Sequence, residues 1–235
     1  MLSDRREFLQ RLTIGGVALA ALPAPLTASE SDSSRAAFNE FAALSQQPAA
    51  PTFDVSWTQK LTGKYKTVFD VPAINGGSGV WRAGMWVNHY KDVLKSPPTD
   101  LNAVIVIRHA AISLIMNHEF WNSYDIAKEH KVRHPMTDKK TTRNPVLMTT
   151  EEDQLPPVFA SYALPKQIEG GAIVLGCDLA FAQMVSMVAK RENLKGAEAR
   201  AKALAMVVPG VILQPNGIFG VTLAQHHGCV FVAAS

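Results

Sequence analysis

Residues 101–107 read Leu-Asn-Ala-Val-Ile-Val-Ile, a nearly unbroken apolar run. A strand with one wet face alternates polar and apolar residues. A run without alternation fits a strand that is covered on both faces, as in a parallel sheet. Ala172-Ile173-Val174-Leu175 repeats the pattern and ends at Gly176-Cys177-Asp178. Three further β-rich stretches lie at 65–71 before Pro72, at 211–213 and at 229–232. Helical spacing separates them. Apolar residues recur at 80, 83, 87, 90 and 94 until Ser96-Pro97-Pro98 stops the turn, and stretches 179–190, 197–207 and 218–226 read as helices. A further helical stretch opens at Leu155-Pro156-Pro157 and stops at Gly170-Gly171. Strands alternating with helices predict an α/β fold: three layers, α/β/α, around a mainly parallel sheet of about five strands joined by right-handed crossovers. The order of the strands does not follow from this pattern.

The regular alternation is interrupted once. Residues 110–165 form a longer insert or lid, with short helices expected over 111–116 and 119–124. Its stretch from 130 to 150 is polar and basic, carrying Lys131, Arg133, Lys139, Lys140 and Arg143, and loops of this length are usually functional or disordered.

The first 28 residues read as an address. Arg5-Arg6 precede Phe8-Leu9, an apolar stretch runs from Leu12 to Leu22, and a Pro- and Ala-bearing segment follows. This resembles a twin-arginine translocation signal, with Asp4 set between Ser3 and the arginines and Gln10 in place of the usual lysine. The resemblance implies export by the twin-arginine translocase as a folded protein, to the periplasm or another compartment outside the cytoplasm, with cleavage near Thr27-Ala28-Ser29. The apolar stretch is too short for a stable membrane span. Residues 29–60 are expected as a mobile lead, although Phe53 to Trp57 suits packing on the domain. Residues 61–235 are expected as a single α/β domain.

Lys+Arg 23 against Asp+Glu 20 gives a net charge of +3, too even for a dedicated nucleic-acid surface. Two cysteines make neither a disulfide framework nor a Cys-rich zinc site. His130 and His134 stand four apart, but Lys131, Arg133 and Pro135 surround them, so no metal is expected. The phosphate-loop, dinucleotide and serine-hydrolase motifs are missing, and Asn75-Gly76-Gly77-Ser78-Gly79 lacks the lysine of a phosphate loop. No cofactor is expected.

In an open parallel sheet, ligands bind outside the carboxyl ends of the strands. Three strand ends carry polar or reactive residues: Arg108-His109, Cys177-Asp178 and Asn216-Gly217. Cys177 closes a strand and opens a helix, whose free N–H groups favour a thiolate. A small buried residue filling space between strand and helix is the other reading of Cys177. Asp178 either opposes the thiolate or caps the helix. His109 is a candidate proton donor or thiolate partner, or else a plain hydrogen-bonded histidine. Asn216 and Gly217 complete the expected pocket. Cys229 begins the last strand at the opposite end of the sheet, so no bridge to Cys177 is expected.

Three C-terminal segments carry a family likeness: Gly171-Ala172-Ile173-Val174-Leu175-Gly176-Cys177, Val208 to Gly217 with its Pro-Gly-Val turn, and Leu223-Ala224-Gln225-His226-His227-Gly228-Cys229. Together they resemble the DsrE/DsrF-like (YchN-like) superfamily, and the whole chain looks most like its exported branch. The resemblance covers roughly 65–235 and is strongest from 170 on. It implies a homo-oligomer, often a trimer or hexamer, and in sulfur-relay members a persulfide on the cysteine matched by Cys177. Many relatives have no known reaction, and the relay members are cytoplasmic. Two readings follow. One is an exported protein that binds or relays sulfane sulfur through Cys177 and His109. The other is a non-catalytic oligomeric module whose pocket, made by His109, Asn216 and the basic lid, takes a small anion.

Overall fold

A computed structural model describes residues 52–149 and 151–234; the twin-arginine reading over 1–28 and most of the expected lead lie outside these residues. Five strands pair in parallel throughout: β1 (Tyr65–Val71), β2 (Leu101–Ile107), β3 (Ile173–Cys177), β4 (Val211–Gln214) and β5 (Val230–Ala233). Their order is β4-β3-β2-β1-β5. β1 and β2 pair along their full lengths, Tyr65 opposite Leu101 through Val71 opposite Ile107. The helices are α1 (Ser78–Leu94), α2 (His118–Ser123), α3 (Ile126–Glu129), α4 (Pro157–Ala160), α5 (Leu164–Glu169), α6 (Asp178–Glu192), α7 (Gly196–Ala205) and α8 (Gly217–His226).

The strand order explains the layers. From β1 to β4 every connection steps the same way across the sheet, so right-handed crossovers put their helices on one face. The step from β4 to β5 runs back, which puts α8 on the other face. Packing agrees with this. One core cluster joins Phe69, Val71, Ile105, Ile107 and Val174 to Val80 and Ala83 of α1 and to Phe181 and Met184 of α6. A second joins the alternate residues Val68, Val104, Val106, Ile173 and Leu175 to Val221 and Ala224 of α8. The expected three-layer α/β/α fold is the observed one.

Trp57, in a 3-10 turn over Ser56–Lys60, is fully buried in the second cluster. Packed structure therefore begins by residue 56, inside the expected lead. The insert is also part of the core: Ile112, Leu114, Ile115, Phe120, Trp121 and Ile126 extend the first cluster beyond the sheet. Asn144 ties it down from within, its Nδ2 donating to the carbonyls of Leu114 (2.9 Å) and Met116 (2.7 Å). The single helical stretch expected over 155–169 is two short helices, α4 and α5. Pro165 sits in the first turn of α5, where its missing N–H costs nothing, and it prevents α4 from running through. Among the described residues no helix is long and apolar enough to cross a membrane.

Candidate functional site

β3 and β4 are neighbours, yet the helices that follow them leave for opposite faces. Such a reversal opens a crevice at the carboxyl ends of the two strands, the usual ligand position in open α/β sheets. Cys177 and Gln214 are paired in register at this point. A cavity of about 570 Å³ lies there, walled by Arg108, His109, Cys177, Gln183, Asn216 and Gly217, with Leu179 and Ile218 exposed at its edge. The three strand ends singled out in the sequence thus meet in one place.

Two helices begin at this cavity. Cys177 is the N-cap of α6, and its Sγ accepts a hydrogen bond from the Ala180 N–H at 3.4 Å. Asn216 is the N-cap of α8, and its Oδ1 accepts from the Phe219 N–H at 2.9 Å. Helices of 15 and 10 residues therefore aim their positive ends at the same space. The capping bond folds the sulfur against the first turn of α6. Cys177 is only 5% exposed.

Arg108 follows β2 and forms a two-pronged bond with Asp70 of β1, Nε to Oδ1 at 2.7 Å and Nη2 to Oδ2 at 2.8 Å. That bond holds the guanidinium above its ordinary pKa, against the opposing effect of burial. Its Nη1 has no hydrogen-bond partner among the described residues. The stem of Arg108 crosses Gly217 so closely that a Cβ there would lie 2.5 Å from both Cβ and Cδ of the arginine. Gly217 is thus a wall of the pocket because it lacks a side chain. His109 is exposed and adopts a left-handed backbone with φ of 51°. That conformation is uncommon outside glycine, although histidine tolerates it better than most residues, and such positions cluster at functional sites.

Asp178 does not line the cavity, contrary to expectation. Its Oδ1 accepts from Nη2 of Arg200 at 2.6 Å, and that guanidinium also sits 5.6 Å from the Phe181 ring centroid. The carboxylate is drawn to α7 and away from the thiol. The basic lid is not at this cavity either, so the pocket imagined from His109, Asn216 and the lid together does not form. The lid borders two other cavities. His134 is engaged at both ring nitrogens, with Nδ1 accepting from the N–H of Met136 and Thr137 and Nε2 bonded to the Asp153 carbonyl. Among the described residues no three His, Cys, Asp or Glu side chains are placed to hold a metal ion.

Cys229 lies just before β5, at the amino end of the sheet, and both cysteines are free. β1 and β2 stand between β5 and β3, a lateral separation of about 14 Å at the usual strand spacing. Burial raises the Cys229 thiol pKa, with Lys66 opposing more weakly. Sequence reasoning placed Arg108 at a strand end but gave it neither a role nor its partner. The available signal was Asp70, a lone charge in the apolar half of a strand, which needs a partner when buried. No protein-family model, curated protein or solved structure matches this chain.

Proposed function

We propose that the chain is an exported thiol protein that binds and passes on sulfane sulfur through Cys177. The observation that carries this reading is the position of the sulfur. It sits at the first turn of α6, on the wall of a cavity that also receives the start of α8 and the guanidinium of Arg108. Such surroundings favour an anionic donor beside the sulfur. In the proposed step His109 takes the thiol proton, and the Cys177 thiolate attacks the terminal sulfur of a polysulfide or of thiosulfate. A new S–S bond forms on Cys177 while the donor's own S–S bond breaks, and the electron pair leaves on the shortened polysulfide or on sulfite. Arg108, through its free Nη1, holds the anionic donor and then the anionic leaving group. The likeness to DsrE-like proteins around Cys177 supports the same chemistry.

Mass spectrometry of the intact full chain after exposure to polysulfide or thiosulfate tests this. The wild type is expected to gain one-sulfur adducts, reversible by thiol reductant, and Cys177→Ser to gain none. Equal adducts in both proteins defeat the proposal. A second reading has one observation of its own: the sulfur is almost covered, while Arg108 and two helix starts remain available to a ligand. A module that only binds a small anion there would shift in melting temperature with thiosulfate in both wild type and Cys177→Ser, with no adduct in either.

A further inference from the structure

The basic stretch that the thiol pocket does not use builds a cavity of its own. About 410 Å³ in volume, it opens between α3 and a small hairpin in which Arg133 and Lys140 pair across an antiparallel bridge. Lys128, Lys131, Arg133 and Lys140 form its rim. Val132 and Ala127, over the buried Trp121, form its floor. The one carboxylate on the wall, Asp125, is already paired with Arg191 of α6 at 3.1 Å. Among the described residues the Arg133 guanidinium meets Asp138 alone, donating from Nη1 to its carbonyl at 2.8 Å with Nε 3.9 Å from its exposed carboxylate. Among the described residues Lys128, Lys131 and Lys140 have no ion pair.

Four cations around one small space repel one another, and like charges directly opposite each other weaken a strand pair. The lid does not need the three lysine charges to keep its shape. Arg143 anchors it to Glu152 (2.7 Å) and Asp153 (2.5 Å), and His134 bonds the Asp153 carbonyl at 2.7 Å. What the three lysines lack is a counter-charge, and what the floor offers is apolar contact. A ligand that suits both halves carries an anionic group on an apolar body, and the volume falls in the range of small-molecule sites. We propose that this cavity binds a small organic anion, a sulfonate or carboxylate borne on an apolar ring or short chain. It is remote from the thiol: Arg191 and Cys177 mark opposite ends of α6, about 20 Å apart at the helical rise.

Isothermal titration and thermal shift of the full chain with benzenesulfonate, and separately with inorganic sulfate, test the proposal. Benzenesulfonate is expected to bind saturably and raise the melting temperature, with sulfate clearly weaker because it has nothing to lay on Val132. The double variant Lys131→Gln/Lys140→Gln should lose about tenfold or more in affinity, since two charges close to the anion are gone. Lys128→Gln, outside the hairpin, should weaken binding in the same direction. Lys139→Gln removes a charge that does not line the cavity and should leave binding as it was. An unchanged rate of Cys177 labelling reports that each variant is folded. Four results overturn the proposal: no saturable binding of benzenesulfonate, equal affinity in the double variant, an equal loss in Lys139→Gln, or sulfate binding as tightly as benzenesulfonate.

Discussion

The side chain of Arg108 crosses the start of α8 in direct contact with Gly217, and neither can be moved without the other. The arginine is held at one end by the β2 backbone and at the other by both oxygens of Asp70. It therefore cannot swing aside to admit a methyl group. Gly217→Ala is expected to cost about 1–3 kcal/mol, the usual penalty of forced overpacking. Denaturant unfolding measures the loss, and the proposed sulfur loading at Cys177 should fall with it. A Gly217→Ala protein as stable as wild type would show that the contact is slack.

The two cysteines should differ in reactivity. Cys229 is buried and its thiol pKa is raised, whereas Cys177 borders the cavity at a helix start. With a small aromatic disulfide reagent near neutral pH, the folded Cys229→Ser protein, which retains Cys177, should label faster than folded Cys177→Ser. Equal, slow labelling of the two variants would remove the reactive-thiol reading.

His118 links stability to pH. Its Nδ1 accepts the Asn144 N–H at 3.1 Å, so Nε2 carries the proton and donates to the Leu147 carbonyl at 3.3 Å. Burial, and then the nearby charge of Arg143, lower its pKa from the ordinary value of 6.5. The folded state thus favours the neutral ring. The stability this contributes is fully present above the unfolded pKa of about 6.5 and is lost as pH falls through the lower, folded value. Melting temperatures across a pH series should fall on acidification more steeply in wild type than in His118→Gln. Parallel curves would exclude this coupling.

Trp57 fastens the segment before β1 to the core. It is fully covered by the second core cluster, so Trp57→Ala should cost about 3–5 kcal/mol, as other large-to-small changes in cores do. Urea unfolding of the full chain measures this, and a cost near zero would return residues 52–60 to a loosely attached lead.

Local patterns carried most of the fold. The runs at 65–71 and 101–107 match β1 and β2 in their limits because both strands are inner strands of the sheet and mostly apolar, and the helix ending at Leu94 stops where Ser96-Pro97-Pro98 ends it. Partnerships between distant residues left no such trace. Strand order depends on which way each crossover steps, and nothing in 172–175 or 211–213 records that. The bond between Arg108 and Asp70 joins residues 38 apart, and only the oddity of a buried charge in β1 hinted at it. The three strand ends converged as expected because a parallel sheet puts all its carboxyl ends on one side. The basic lid did not join them at the thiol cavity; it lines a separate cavity with Asn75, Gly76 and Ala110, beyond the ends of β1 and β2. Asp178 was misplaced for a related reason: Arg200, one helix further on, claims it.

The return step from β4 to β5 has a consequence for how the chain matures. Until α8 has left the ribosome, the face of the sheet bearing Val68, Val104, Val106, Ile173 and Leu175 has little to cover it, and the cavity beside Cys177 lacks the wall made by Asn216 and Gly217. Synthesis of β1 to β4 yields a sheet dressed on one side only. The β4-to-β5 crossover supplies both that cover and that wall, so the covered sheet face and the completed cavity arise together from residues 216–230.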